Sequence, residues 1–239
     1  MKKGSSTIIA LKDVYKIYPL GKTEVHAVNG VSVNITKGDF ISIAGPSGSG
    51  KSTILNMIGC IDTPTKGTVE INGKSTTGLK DDEITRLRHK TLGFIFQSFN
   101  LIPVLNVFEN IEFPLLLDKK SKGSAKERKE WIEYLIQEVG LEKWKTHKPM
   151  ELSGGQRQRV AIARALVTKP LIVLADEPTA NLDSVTGEAI IELMKKMNTD
   201  VGTTFIFSTH DQSIVDIADH VIRLRDGLVI ENRRKKRGE

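Results

Sequence analysis

The chain has 239 residues, 39% of them hydrophobic and 27% charged, a balance that suits a folded globular protein and excludes a disordered or collagen-like chain. The single cysteine, Cys60, rules out an internal disulfide framework and a cysteine-rich zinc module, and is expected to be a small buried hydrophobe. The net charge of +6 gathers at Arg233-Arg234-Lys235-Lys236-Arg237, and aromatics at 5% leave no basic, base-stacking groove, so nucleic acid is not an expected partner. Residues 233–239 are expected to form a solvated basic tail, with contact to anionic lipid or an acidic surface as the alternative. No apolar run approaches the ~20 residues of a membrane span, and no apolar region follows the basic start, so neither a span nor a secretion signal is expected.

In chain order, Ile8–Tyr18, Val25–Ile35 and Gly67–Gly73 alternate apolar and polar residues between glycines and asparagines, which predicts a small antiparallel sheet. Phe40–Ala44 is instead continuously apolar, the pattern of a strand buried on both faces of a parallel sheet, and the helical segment Ser52–Gly59 follows it. Residues 97–168 read as an inserted helical subdomain. Within it Ala125–Val139 carries Trp131, Leu135 and Ile136 on one face, Trp131 and Trp144 are packing residues, and 119–124 is the most loop-like piece. Leu171–Ala175 and Thr204–Ser208 are further buried strands, separated by the helix Thr186–Met197. The expected architecture is a single α/β domain. A mostly parallel core sheet comes from about 8–96 and 169–232, with an N-terminal antiparallel β subdomain, the helical subdomain and the basic tail at 233–239.

Three segments carry chemistry. Gly45-Pro46-Ser47-Gly48-Ser49-Gly50-Lys51-Ser52-Thr53 fits the G-x-x-x-x-G-K-[ST] phosphate loop and lies between a predicted strand and a predicted helix, where that loop must be. Its glycines let successive N–H groups point at phosphate oxygens, Lys51 would neutralise the β and γ phosphates, and the Ser52 hydroxyl would ligate Mg²⁺. Leu171–Ala175 runs into Asp176 and Glu177, at the carboxyl end of a strand where open α/β sheets bind ligands. Asp176 would hold Mg²⁺ through water and Glu177 would be the general base for an attacking water. Leu152-Ser153-Gly154-Gly155-Gln156 precedes a helical pattern and forms a second anion site, or a helix N-cap and nothing more.

Taken together, Gly45–Thr53, Leu152–Gln156 and Leu171–Asp183 resemble the nucleotide-binding subunit of ATP-binding cassette (ABC) transporters over nearly the whole chain. The resemblance implies that Tyr18 stacks on adenine, that Gln97 lies near Mg²⁺ and the attacking water, that His210 contacts the γ-phosphate, and that Asp183 belongs to a loop crossing to the partner subunit. It further implies ATP and Mg²⁺ as cofactors and a head-to-tail dimer of two copies, in which Ser153–Gln156 of one closes on the ATP held by Lys51 of the other. The other implied partner is an integral membrane permease, through which a periplasmic adaptor could be reached, with the ATPase peripheral on the cytoplasmic side of a bacterial inner membrane. Phe96–Pro103 and Glu109–Leu116 are most similar to the MacB/LolD group of macrolide-export and lipoprotein-release ATPases, with cell-division and bacitracin-type ATPases as alternatives. Leu101–Leu117 is then the expected docking stretch for a membrane subunit, or else subdomain core. An ABC-type ATPase for DNA repair would carry heptad coiled coils or zinc cysteines, and the sequence has neither.

Overall fold

The computed structural model describes residues 6–117 and 124–235; all but Ser124 of the expected loop at 119–124, and residues 236–239 of the expected tail, lie outside the described residues. Two sheets organise the chain. β1 (Thr7–Leu20) and β2 (Thr23–Thr36) form an antiparallel hairpin, and β1 also pairs with β4 (Lys66–Ile71), which takes the short β5 (Lys74–Ser75) on its other side. The register explains the alternation in the sequence: Ile9 pairs with Ile35 and Ile71, and Leu11 with Val33 and Val69. All six side chains are buried, on the face that meets α1 (Lys51–Ile58).

The larger sheet has the order β10-β9-β3-β8-β7-β6. β3 (Phe40–Ala44), β6 (Leu92–Ile95), β7 (Ile172–Ala175), β8 (Thr204–Thr209) and β9 (His220–Arg225) are parallel, and β10 (Leu228–Arg234) closes one edge antiparallel to β9. The strands β3, β7 and β8 are buried throughout because both faces are covered. Ile41, Ile43, Ile172, Leu174 and Ile206 pack with α1 and the small sheet on one side. Phe40, Val173, Ala175, Phe205 and Phe207 pack on the other with the helices α3 (Val107–Leu116), α4 (Ala125–Glu138), α5 (Gly154–Leu166) and α6 (Ser184–Val201). The helical segment therefore shares one core with the sheet, through α5. Trp131 and Trp144 pack against that core, and the Trp131 indole donates to the Val167 carbonyl at 2.9 Å.

Two expectations need correction, and one that held two alternatives divides between them. The strand β10 continues through Arg234, so residues 233 and 234 are not part of a solvated tail. The Arg234 guanidinium donates to Thr36 Oγ1 at 2.7 Å and pairs with the Asp39 carboxylate at 2.9 Å, while Arg233 pairs with Glu231. Cys60 is half-buried rather than enclosed, at a left-handed φ of 52° just past α1, and burial pushes its thiol up to about 11. The stretch 101–117 divides between its two readings: Val107, Asn110 and Ile111 are core, whereas Val104, Leu116 and Leu117 are exposed. Asn110 explains the turn before α3, because its buried amide donates to the Ile102, Leu105 and Asn106 carbonyls and accepts from the Ile102 amide.

Candidate active site

The loop 45–50 leaves β3 at its carboxyl end and delivers the chain into α1, whose first residue is Lys51. Two glycines are fixed by space as well as by backbone angle. Gly45 (φ 153°) and Gly50 (φ 98°) have no room for a Cβ, which would lie 2.3 Å from the Leu224 carbonyl oxygen and 2.4 Å from that of Ala27. The loop is thus held tightly against β9 and β2, and the N–H groups at the start of α1 have no intrahelical acceptor and favour an anion. Lys51 is buried, donating to the carbonyls of Gly45 at 2.9 Å and Pro46 at 3.1 Å.

The carboxylates arrive on β7, a neighbour of β8 in the sheet. Asp176 lies just past the end of β7, and one of its oxygens accepts from the Ser52 hydroxyl at 2.9 Å and from the Ser208 hydroxyl at 2.7 Å. Glu177 follows at a left-handed φ of 46°, a conformation uncommon for a residue with a side chain and maintained by its surroundings. Its amide donates to Ser208 Oγ at 2.8 Å. Its carboxylate is held from two sides, by Lys51 Nζ at 3.4 Å on one oxygen and by His210 Nδ1 at 2.8 Å on the other. His210 itself is exposed, one residue beyond β8.

One open cleft of about 790 Å³ is lined by Tyr18, Val25, His26, Ala27, Pro46–Gly48, Gly50–Thr53, Gln97, Glu177, Ala180 and His210; Gly45, Ser49 and Asp176 are not part of that lining, and Asp176 is joined to it by the bond from Ser52. That volume lies in the range of small-molecule sites. Tyr18, near the end of β1, is half-buried, and burial together with its hydrogen bond to Asp62 raises its phenol above the ordinary value. Gln97 is exposed at the cleft, and its backbone carbonyl accepts from the Asn181 amide at 2.9 Å. Ser153–Gln156 and Asp183 are not in the cleft. Ser153 caps α5 reciprocally with Gln156, Asp183 caps α6 by accepting from Thr186 N at 3.0 Å, and Gly154 lies beside Leu182. The Thr186 amide holds the Asp183 carboxyl below its usual range.

Sequence reading missed three contributors. Ser208 joins both carboxylate residues but lies one residue before the end of an unremarkable apolar strand. Arg164, at the far end of α5 from Ser153, donates to the carbonyls of Phe99 and Asn100, which are successive left-handed residues just after Gln97. Burial pulls its guanidinium below the ordinary value. Asp62 accepts from Tyr18 and Lys16. Only folding in space brings these partners together, so no local pattern could reveal them.

The Ser52 hydroxyl and the Asp176 carboxylate are hard oxygen donors. Among the described residues no group of three or more His, Cys, Asp or Glu could hold a metal by itself. That combination fits Mg²⁺, which keeps much of its water and binds through one or two protein oxygens together with substrate phosphates.

Comparison with known proteins gives one family. The profile described as ABC transporter matches residues 28–180. An uncharacterised ABC transporter ATP-binding protein of Methanocaldococcus jannaschii is 49% identical over 97% of this chain and 98% of that protein. A solved structure described as a dimeric, post-hydrolysis state of an ATP-binding cassette with ADP and Pi superposes with a TM-score of 0.87 at 46% identity, covering 96% of this chain and 99% of the other. The lipoprotein-releasing system ATP-binding protein LolD of Acinetobacter baylyi is 42% identical over 95% of this chain and 99% of its own length. The macrolide export ATP-binding/permease protein MacB of Mannheimia succiniciproducens is 44% identical over 95% of this chain, which spans 35% of that longer protein.

Proposed function

The chain belongs to the ABC transporter family as an ATP-binding, ATP-hydrolysing cassette, and from that premise we propose that it powers a membrane complex of the macrolide-export or lipoprotein-release type. The observation that carries the catalytic part of this reading is Glu177, held between Lys51 and His210 on the wall of the cleft.

In this reading the loop Gly45–Thr53 cradles the phosphates of ATP with backbone N–H groups, and Lys51 swings its ammonium from the Gly45 and Pro46 carbonyls to the β and γ oxygens. Tyr18 supplies the platform for the base. Ser52 and Asp176 would hold Mg²⁺, with Gln97 beside it; bound there, the ion would neutralise charge on the β and γ phosphates. Glu177 takes the proton of the attacking water, and its fixed backbone and the His210 contact orient the carboxylate toward the reacting phosphate. His210 then stands at the γ-phosphate. Ser153–Gln156 and Asp183, which do not line their own chain's cleft, serve the ATP of a second copy, consistent with the dimeric cassette among the structural relatives.

The coupling partner is an integral membrane permease. A second groove of about 340 Å³ opens between α3 and the loop after β6, lined by Phe94, Phe96, Ile102, Phe113, Pro114 and Arg164 among others, with the exposed Leu116 and Leu117 ending α3 nearby. It suits a short helix from the permease. Among the described residues no helix is long and apolar enough to cross a membrane, and the cassette would work peripherally, on the cytoplasmic face, through this dock.

Glu177→Gln tests the catalytic reading. Hydrolysis should fall at least ~10²–10⁴-fold while ATP affinity is retained, and the protein should accumulate as an ATP-dependent dimer by light scattering. Adding Ser153→Arg should dissolve that dimer. A Glu177→Gln protein that binds ATP normally but stays monomeric at high concentration would count against the composite site.

A further inference from the structure

The base platform is not a free-standing aromatic. The Tyr18 hydroxyl donates to Asp62 Oδ2 at 2.6 Å, and the Lys16 ammonium donates to Asp62 Oδ1 at 2.5 Å and to the Thr63 carbonyl at 2.9 Å. The same ammonium stands 4.9 Å from the centre of the Tyr18 ring. Lys16 is well enclosed and does not line the cleft, so it backs the ring on the side away from the ligand and leaves the cleft-facing side for stacking. Two further bonds lace the strand to the same loop: the Thr65 amide donates to the Tyr15 carbonyl at 2.8 Å, and the Ile17 amide to Thr65 Oγ1 at 3.0 Å.

The loop 62–65 comes directly off the helix that begins with Lys51. The amides of Ile61 and Asp62 both donate to the Asn56 carbonyl of that helix, at 2.9 and 3.2 Å. The phosphate loop and the base platform sit on different sheets; Thr63 and Thr65 join the loop to the strand, Thr53 of the helix bonds the Tyr18 side chain, and Asp62 is the charged group through which both Tyr18 and Lys16 are tied to the end of that helix.

We propose that Asp62 is the positioning residue for nucleotide-base binding: it locks the Tyr18 ring, through the hydroxyl and through Lys16, at a fixed distance from the phosphate loop. The inference rests on the reading of Tyr18 as base platform. Asp62 touches no substrate atom and acts through Tyr18. The charge state suits the task, since burial alone would raise the Asp62 carboxyl but the bonds from Lys16 and Tyr18 hold it below the usual range, ionised at neutral pH.

A base-specific binding measurement separates this role from a merely structural one. Calorimetry with ATP and with inorganic tripolyphosphate, which has no base, is carried out on the wild type, Tyr18→Ala, Tyr18→Phe, Asp62→Ala and the Tyr18→Phe/Asp62→Ala double variant. Freeing one ordered side chain should weaken ATP binding roughly 2- to 12-fold in Asp62→Ala and leave tripolyphosphate affinity unchanged. KM for ATP should rise while kcat is retained. Tyr18→Phe, which keeps the ring and removes the hydroxyl, should give a loss in the same range, and the double variant should be no weaker than the weaker single one. Equal weakening toward ATP and tripolyphosphate in Asp62→Ala, or additive losses in the double variant, would overturn the proposal. If Asp62→Ala fails to fold, Tyr18→Phe carries the test alone, and unchanged ATP affinity in it is a refutation. If Tyr18→Ala itself does not discriminate ATP from tripolyphosphate, the platform reading fails; if Tyr18→Ala discriminates and Asp62→Ala does not, only the positioning role fails.

Discussion

Gly50 shows how tightly a single position is constrained at the phosphate loop. Its φ of 98° is one that L side chains rarely adopt, and the missing Cβ would press on a backbone carbonyl that cannot move aside without shifting β2. Gly50→Ala should therefore cost at least the ~1–3 kcal/mol of a residue held in a sparsely populated region, and should lower both the melting temperature and ATP affinity, measured by thermal shift and calorimetry. Gly48, in the same loop and also left-handed at φ 78°, has open space where a Cβ would go, so it is constrained by backbone angle alone. At this scale much was legible in the sequence. Lys51, Ser52, Asp176 and Glu177 could be picked out because the loop pattern and the carboxylate pair after an apolar run are local features. Asp62 and Arg164 could not, since a charged residue in a loop or on a helix is usually a solvated one, and only their partners distinguish them.

Among the elements, β3, β7 and β8 could be read as continuous apolar runs because each is buried on both faces. β6 escaped notice since it begins directly where the helix α2 (Asp81–Thr91) ends, with no turn residue to mark the change, and has Gly93 at its centre. α2 itself is mostly charged, has only Ile84 and Leu87 as inward-turned apolar residues and buries only Thr91, so its apolar stripe is too short to stand out in the sequence. The end of β10 is hidden in the sequence because Glu231-Asn232-Arg233-Arg234 are polar, as an exposed edge strand allows, so that residues 233 and 234 read as the start of the basic tail. Its polar residues nonetheless bind. Asn232 Oδ1 lies 2.6 Å from Nε2 of the buried His220 on β9, and Arg234 reaches Asp39. Arg234→Ala should destabilise the protein by about 1 kcal/mol, limited by the exposure of the guanidinium, without changing kcat; a chevron or urea melt reads the first and steady-state kinetics the second. His220 offers a pH test of the same edge. Burial lowers its pKa, although Asn232 and Asp39 oppose that and Arg234 adds to it. The folded state therefore binds its proton less readily than the unfolded chain. The contribution to stability is complete above the unfolded value near pH 6.5 and declines as pH falls toward the folded one. Urea midpoints should drop over that range, and His220→Gln should flatten the drop.

The whole molecule is two sheets closed around α1 on one side and one helical layer on the other, and the two candidate sites open on different parts of that body: the cleft among Tyr18, Lys51 and Glu177, and the groove beside α3. Charge placed beside the groove should separate them. Leu116→Asp, at an exposed position, should spare basal ATP hydrolysis and abolish stimulation by a co-purified permease, whereas Ile111→Asp, in the core, should prevent folding. Hydrolysis assays with and without the membrane partner, beside circular dichroism, check both. Neither groove nor dimer could be derived from the sequence's own periodicity, because each depends on which parts of an apolar stretch the fold leaves uncovered. One feature of the helical layer has a mechanical meaning as well. α5 spans 13 residues, about 20 Å of stiff rod, with Ser153 capping one end and Arg164 gripping the Phe99 and Asn100 carbonyls near the other. Between them Arg157 lies 5.3 Å from the centre of the Phe99 ring. The helix thus ties the end capped by Ser153 to the turn that follows Gln97, so that a tilt of α5 would carry the Phe99–Asn100 turn, and with it the edge of the groove that Asn100 and Arg164 line, in the same movement.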